Sequence, residues 1–246
     1  MSLLTFHPPV IGHRGAKALA PENTMSSFRR AQEAGVLWVE TDVKLTRDGV
    51  AILMHDDMLD RTTNGRGAVA KTDWSEIQAL DAGSWFDPAF RDERVPRLEE
   101  ILRFVLDHGL RINLEIKPCL GRSQATAMVA LIETAKLWPR DAAPPLISSF
   151  DIDALIVASQ LHPEWPRGFL FEKWPENLDT IIRMTQPAIL GIDEEIITPE
   201  RLDDIRKTGL PLQAFTVNDP SRAQKLLHDG IVAVFSDNPR PILDAL

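Results

Sequence analysis

The sequence predicts an α/β fold, a TIM (β/α)8 barrel, on three observations: eight short β-rich apolar runs, helical patterns between them, and an even spacing towards the C-terminus. The runs are Val10–His13, Leu37–Val43, Arg111–Ile116, Pro145–Ser149, Arg167–Phe171, Ala188–Ile192, Pro211–Val217 and Ile231–Ser236. The last five recur at intervals of 20 to 23 residues, which fits repeated βα units feeding a parallel sheet. Between runs, apolar residues return at helical spacing: Leu98, Ile101, Leu102, Val105 and Leu106, then Met128, Leu131, Ile132 and Ala135, then Ile152, Leu155 and Ile156. Gly35, Gly109, Gly209 and Gly230 each close a helical stretch just before a run, where a left-handed capping residue is expected. Eight such units in 246 residues specify a closed barrel better than an open sheet, and residues 1–246 are expected to form one domain.

One interval breaks the rhythm. The second run starts near residue 37 and the third near 111, several times the spacing found elsewhere. Inside it lies a ninth apolar run, Val50–Met54, joined to the second by Thr46-Arg47-Asp48-Gly49, too short for a parallel crossover. This predicts a hairpin rising from the barrel. If the four residues form the turn, Leu45 pairs with Val50, Val43 with Ile52, and Glu40 with His55; a slip of one residue would turn His55 to the other face. Residues 56–96 are expected to form a small cap with no large core, in which Trp74 and Trp85 serve mainly as packing.

Composition narrows the function. Apolar residues make up 44% and charged residues 26%, ordinary globular usage. The single cysteine, Cys119, allows no internal disulfide and no cysteine-rich zinc site. With 27 basic against 36 acidic residues the net charge is −9, which argues against nucleic acid or an anionic membrane as partner. No apolar run approaches a membrane span, and MSLLTFHPPV lacks the basic residues of a signal peptide, so a cytoplasmic location is expected. A monomer and a homodimer are both compatible with the sequence. An anionic substrate would require a local cluster of cations.

In a barrel of this kind the C-terminal strand ends build the active site, and here those ends are charged. Glu40 and Asp42 stand two apart and share one face of a strand covered on both sides, where unpaired anions are costly. Glu115 holds the corresponding place on the next strand. Three carboxylates with no cysteine suit one divalent cation, Mg²⁺, Ca²⁺ or Mn²⁺. Lys117 shares the face of Glu115, and Arg14 follows His13 at the end of the first strand, so two cations converge where a phosphate would sit. His13 and His55 flank this group and supply an acid and a base for displacing an alkoxide from phosphorus. His7, His108, His162 and His228, near a terminus, helix ends or a proline, are expected to be structural.

These residues, in the order His13-Arg14, Glu40-x-Asp42, His55, Glu115-x-Lys117, resemble the glycerophosphodiester phosphodiesterase family. The resemblance extends through APENT at 20–24, HDDMLDRTTNG at 55–65, LDAGSWF at 80–86, VPRLEE at 95–100, LEIKP at 114–118 and FTVN at 215–218. Within the family it is most similar to bacterial cytoplasmic members linked to glycerol phosphate uptake. It implies hydrolysis of small-molecule glycerophosphodiesters, such as glycerophosphocholine or glycerophosphoethanolamine, to sn-glycerol 3-phosphate and an alcohol. It further implies Glu40, Asp42 and Glu115 as metal ligands, His13 and His55 as the acid–base pair, and Arg14 and Lys117 as phosphate-binding cations. Phe215 stands where the family usually has Trp, a substrate-binding position that bears on selectivity. AVFSDNP at 233–239 departs from the family's glycine-aspartate version but keeps Asp237 at the strand end. Asn23 has two readings, a member of the site or the N-cap of the following helix.

Attack by water and attack by the glycerol 2-hydroxyl, through a cyclic phosphate, both fit these residues. Two other classes compete. A related lyase would leave the cyclic phosphate as product, but its secreted members usually carry disulfides and a signal. A non-catalytic binding barrel would be expected to have lost a histidine or a carboxylate, and this chain retains them all.

Overall fold

The computed structural model describes residues 4–246. The eight parallel barrel strands are β1 (Val10–Gly12), β2 (Trp38–Leu45), β4 (Arg111–Ile116), β5 (Leu146–Ser149), β6 (Arg167–Phe171), β7 (Ile189–Asp193), β8 (Leu212–Phe215) and β9 (Ala233–Ser236). Each pairs with the next, and β1 pairs with both β9 and β2, so the sheet closes and leaves no parallel edge. The helices α1 (Met25–Ala34), α3 (Leu98–Asp107), α4 (Ser123–Leu137), α5 (Ile152–Leu161), α6 (Leu178–Thr185), α7 (Pro199–Thr208), α8 (Pro220–His228) and α9 (Pro239–Ala245) return the chain between or after the strands. The TIM barrel expected from the run spacing is the fold observed, and strand boundaries fall within a few residues of the sequence-based ones.

Alternation along each strand divides the core in two. Val39, Val43, Ile112, Leu114, Ile147 and Leu190 face outward into a cluster completed by helix residues such as Leu102, Leu131 and Leu155. Ile11, Trp38, Leu146, Ile189, Ala233 and Phe235 face inward with Phe6. Trp38 stands at the start of β2, its indole N–H donating to the Thr5 carbonyl at 3.1 Å, and it plugs the N-terminal end of the barrel. Further along the same face of β2 come Glu40 and Asp42, so the interior changes from apolar to anionic along a single strand.

The hairpin forms, but one residue out of the expected register. β3 (Ala51–Leu53) pairs antiparallel to β2 with Leu45 opposite Ala51, Lys44 opposite Ile52 and Val43 opposite Leu53. The cause lies in the turn. Thr46 belongs to the ladder and its N–H donates to the Val50 carbonyl at 3.1 Å, leaving a three-residue loop that ends at Gly49 with φ +84°. A left-handed glycine closing a three-residue loop adds one residue to one strand and shifts the pairing accordingly.

The cap includes the single turn α2 (Trp74–Ile77) and a small apolar cluster of Met54, Leu59, Val69, Ile77, Ala82 and Val95. Trp74 packs on this cluster beneath Arg97, while Trp85 donates to the Ala82 carbonyl and meets Phe86 edge to face. Both tryptophans serve packing.

The turn after β1 is held against α1 by Gly15. Its φ is +83°, and a β-carbon there would come within 2.6 Å of the Ser27 carbonyl carbon and 2.8 Å of the Phe28 nitrogen. Gly15→Ala is therefore expected to cost at least about 2 kcal/mol through strain and overpacking. Thermal unfolding should show a fall in Tm of at least several degrees; an unchanged Tm would show that the turn can move away from α1.

Candidate active site

Register brings the carboxylates together. Asp42 lies opposite Glu115 across β2 and β4, and one oxygen from each of Glu40, Asp42 and Glu115 falls within 4.8 Å of the others. All three are buried. The Arg14 backbone N–H donates to Glu40 Oε2 at 2.9 Å, and Lys117 Nζ donates to Glu115 Oε1 at 2.7 Å. Asp42 accepts from Asn23 Nδ2 at 2.8 Å and lies 3.3 Å from Arg14 Nε and 3.6 Å from Lys117 Nζ. Glu40 Oε1 is buried and finds no hydrogen-bond partner among the described residues.

The three acids are tuned apart. Burial, with repulsion from Asp42 and Glu115, pushes Glu40 well above the usual carboxylate range. Burial and the Asp42 charge push Glu115 up to about 7, against the opposing pull of Lys117. Burial also acts to raise Asp42, but Arg14, Lys117 and His55 outweigh it and hold that carboxyl below its ordinary range. A protein left with these charges compensates them with protons or with a cation.

Each histidine has a carboxylate behind it. His13 Nδ1 lies 2.6 Å from Asp237 Oδ1, and Asp237 is fixed in turn by Asn218 Nδ2 at 3.0 Å and by its own N–H on Asn218 Oδ1 at 2.8 Å. With Nδ1–H on Asp237, the Nε2 lone pair of His13 faces the carboxylates, 4.0 Å from Glu40. Burial lowers His13 to about 4, so the ring is neutral at physiological pH. His55 Nδ1 lies 2.7 Å from Asp56 Oδ1, and burial lowers this ring as well. The register shift does not remove His55 from the site. β3 ends at Leu53, the last ladder bond runs from Met54 N–H to the Asp42 carbonyl at 3.0 Å, and past it strand alternation no longer applies.

His13, Arg14, Glu40, His55, Glu115, Lys117 and Phe215 all line one cavity of about 300 Å³ at the C-terminal mouth of the barrel. Asp42 lies just beneath, fully buried. Phe215 packs edge to face on Phe150 at 5.6 Å, and Lys117 Nζ stands 5.1 Å over the Phe150 ring. Glu172, Asp193, Glu194 and Glu195 line the wall as well, with Lys17, Leu170, Thr216 and Phe235 completing it. His108 bonds the Phe104 carbonyl and His162 stacks on Trp165, away from the cavity, as structural histidines do.

Asn23 is not the helix cap. Thr24 caps α1 by accepting from Ser27 N–H, whereas Asn23, at φ +56°, accepts from Thr41 Oγ1 at 2.8 Å and donates to Asp42. Arg14 also has positive φ, +50°, unusual for a long side chain. The pair is tied together by the Asn23 N–H donating to the Arg14 carbonyl at 3.1 Å. Sequence reasoning found the carboxylates, cations and histidines, but assigned no role to Asp56 or Asn218 and none beyond strand-end position to Asp237. Asp56 had a signal in its place beside His55; Asn218 and Asp237 become partners only once β8 and β9 lie side by side.

Comparison with known proteins decides what family the chain belongs to. Residues 13–240 match the glycerophosphoryl diester phosphodiesterase family. The chain belongs to that family. Glycerophosphodiester phosphodiesterases of Bacillus subtilis and Caldanaerobacter subterraneus are each 32% identical, over 93% of this chain and 83% of the former and over 96% of both chains for the latter. A solved Oleispira antarctica phosphodiesterase, in complex with the product sn-glycerol-3-phosphate, superposes with a TM-score of 0.92 at 39% identity, over 97% of this chain and 96% of that one. The protein is an enzyme of glycerophosphodiester hydrolysis, and among the described residues no helix is long and apolar enough to cross a membrane.

The raised carboxyls have a consequence for stability. Without metal, folded Glu40 and Glu115 retain protons that the unfolded chain releases. This stabilisation is complete below the unfolded carboxylate pKa and is lost as pH rises through about 7 for Glu115. Metal-free protein is expected to melt lower near pH 8 than near pH 5.5, and Mg²⁺ or Ca²⁺ to raise Tm more at the higher pH. Equal Tm values at both pH values, unmoved by either ion, would contradict a cation-compensated cluster.

Proposed function

We propose that the cavity hydrolyses a glycerophosphodiester whose phosphate sits between Arg14 and Lys117, with Glu40, Asp42 and Glu115 holding one divalent cation. The observation that carries this reading is the buried carboxylate cluster with a free Glu40 oxygen, placed beside two cations and two carboxylate-backed histidines in one cavity. An all-oxygen donor set fits Mg²⁺ or Ca²⁺, and Mn²⁺ is also compatible. Such an ion, when bound, neutralises charge on the phosphate and polarises its bonds.

The protein's own residues handle the protons. Neutral His13, its Nδ1–H committed to Asp237, takes the proton of the nucleophile at Nε2. His55, the more exposed ring, acts in its imidazolium form, which the Asp42 and Asp56 charges favour, and gives its Nε2 proton to the departing alkoxide. Arg14 and Lys117 orient the phosphate. The aromatic faces of Phe150 and Phe215, with the carboxylates of Glu172, Asp193 and Glu195 on the same wall, favour an alcohol bearing an ammonium group, as in glycerophosphocholine or glycerophosphoethanolamine. The products, sn-glycerol 3-phosphate and an alcohol, fit turnover of glycerol and of lipid-derived diesters. A single buried cysteine suits the reducing cytoplasm.

Release of sn-glycerol 3-phosphate from a panel of diesters should cease after EDTA and return with Mg²⁺ or Ca²⁺. No cleavage under any metal would overturn the reading, and accumulation of a cyclic phosphate as final product would transfer the chain to the lyase class. Phosphorus NMR that catches a transient cyclic glycerol phosphate would identify the 2-hydroxyl as first nucleophile. His13→Ala and His55→Ala should each lower turnover by about 10² to 10⁴ with an unchanged circular dichroism spectrum. Near-normal turnover in either would remove that residue from the proton transfers.

A further inference from the structure

The cap contributes one side chain that reaches both halves of the site. Arg61, in the segment DRTTNG, lies between two carboxylates and makes a two-pronged contact with each. Nη1 donates to Glu22 Oε2 and Nη2 to Glu22 Oε1, both at 2.8 Å. Nε donates to Asp56 Oδ2 at 2.6 Å and Nη2 to Asp56 Oδ1 at 2.9 Å. One oxygen of each carboxylate is shared with the machinery. Asp56 Oδ1 is the oxygen 2.7 Å from His55 Nδ1, and Glu22 Oε1 accepts from Arg14 Nη1 at 2.8 Å.

We propose that Arg61 is a positioning residue for the reaction: it fixes His55 through Asp56 and Arg14 through Glu22, which makes the cap a working part of the active site. The inference rests on the roles proposed for His55 and Arg14. Two features distinguish it from an ordinary surface ion pair. Such pairs are single contacts between flexible chains and contribute little, whereas a guanidinium gripping two carboxylates at two points each fixes their planes and rotamers. Arg61 is also 43% exposed, so its removal opens no cavity in the core and its effect should fall on alignment more than on folding.

Alignment matters on both branches. Without Arg61, Asp56 can rotate at the cap surface and no longer holds the His55 ring in one orientation, which weakens proton transfer. Glu22 likewise loses the group that opposes Arg14, which loosens phosphate binding. Lysine cannot replace the fork, because an ammonium is a point charge with no planar pair of donors.

The test is a pair of double-mutant cycles read as kcat and KM on glycerophosphoethanolamine with saturating Mg²⁺ or Ca²⁺. Arg61→Ala should lower kcat by about 10- to 100-fold and raise KM, with Arg61→Lys recovering only part of either change. In an Asp56→Asn background the kcat effect of Arg61→Ala should disappear, and in a Glu22→Gln background the KM effect should disappear, because each partner removes the route by which Arg61 acts. Losses that multiply unchanged in both backgrounds, or wild-type kinetics in Arg61→Ala, would overturn the proposal. Should Arg61→Ala unfold, Arg61→Lys and Arg61→Gln in the same backgrounds give the same cycles. Failure of the underlying reading is separable, since it would appear as an unaffected His55→Ala enzyme while the Arg61 cycles are judged on their own coupling.

Discussion

Three carboxylates facing one another inside a protein repel strongly and lose most of their hydration, and the upper half of this barrel is arranged around that cost. Glu40, Asp42 and Glu115 meet because β2 and β4 are in register and their side chains share the inner face. Arg14 and Lys117 stand against the cluster from β1 and β4, and Asn23 holds Asp42 by its amide. Even the backbone takes part, through the Arg14 N–H on Glu40. The positive φ values of Arg14 and Asn23 follow from this demand, since one short segment must present a backbone N–H, a guanidinium and an amide to the same acids. What remains uncompensated is the buried Glu40 oxygen, and that residual anionic character suits the site to a divalent ion.

The apolar half of the barrel makes this arrangement affordable. Trp38, Ile11, Leu146 and Ile189 fill the N-terminal end with close-packed side chains, while the outward faces bury a second, larger set against the helices. Along β2 the outward Val39 and Val43 bury apolar surface on the face opposite Glu40 and Asp42, with Thr41 between them hydrogen-bonded to Asn23. Period-two alternation thus lets one strand serve the core and the site together.

That alternation also explains what could be read from the sequence. The eight runs, the shared face of Glu40 and Asp42, and the neighbouring place of Glu115 all follow from local pattern and parallel register, and they needed no knowledge of loops. The hairpin register did depend on a loop. Whether Thr46 ends the strand or begins the turn is decided by the left-handed Gly49, and the sequence Thr-Arg-Asp-Gly accommodates either turn length. His55 entered the site despite the slip because the strand ends before it, so the expected neighbourhood was reached by a different path. Asn23 was ambiguous for a similar reason: asparagine suits both a helix cap and a left-handed turn, and the adjacent Thr24 is as good a cap. Asp237 reaches His13 from across 224 residues of chain and is held there by Asn218, 19 residues before it, a proximity that only barrel closure creates.

The two histidines show how barrel and cap divide the work. His13 is backed by Asp237 at the end of β9, a carboxylate anchored by Asn218 and by backbone within the barrel rim. His55 is backed by Asp56, which lies past the end of β3 where no sheet hydrogen bond orients it. The same chemical pairing therefore has a rigid support on one side and a borrowed one on the other. A barrel built only of βα units would have no second support, because the loop after β2 would return directly into a helix. The insertion supplies it twice over, first as the hairpin that carries His55 to the cavity and then as the cap segment that meets Glu22 and Asp56. On this view the long interval between the second and third barrel strands is the part of the chain that completes the proposed acid–base pair, and the small apolar cluster beneath it holds that segment in place.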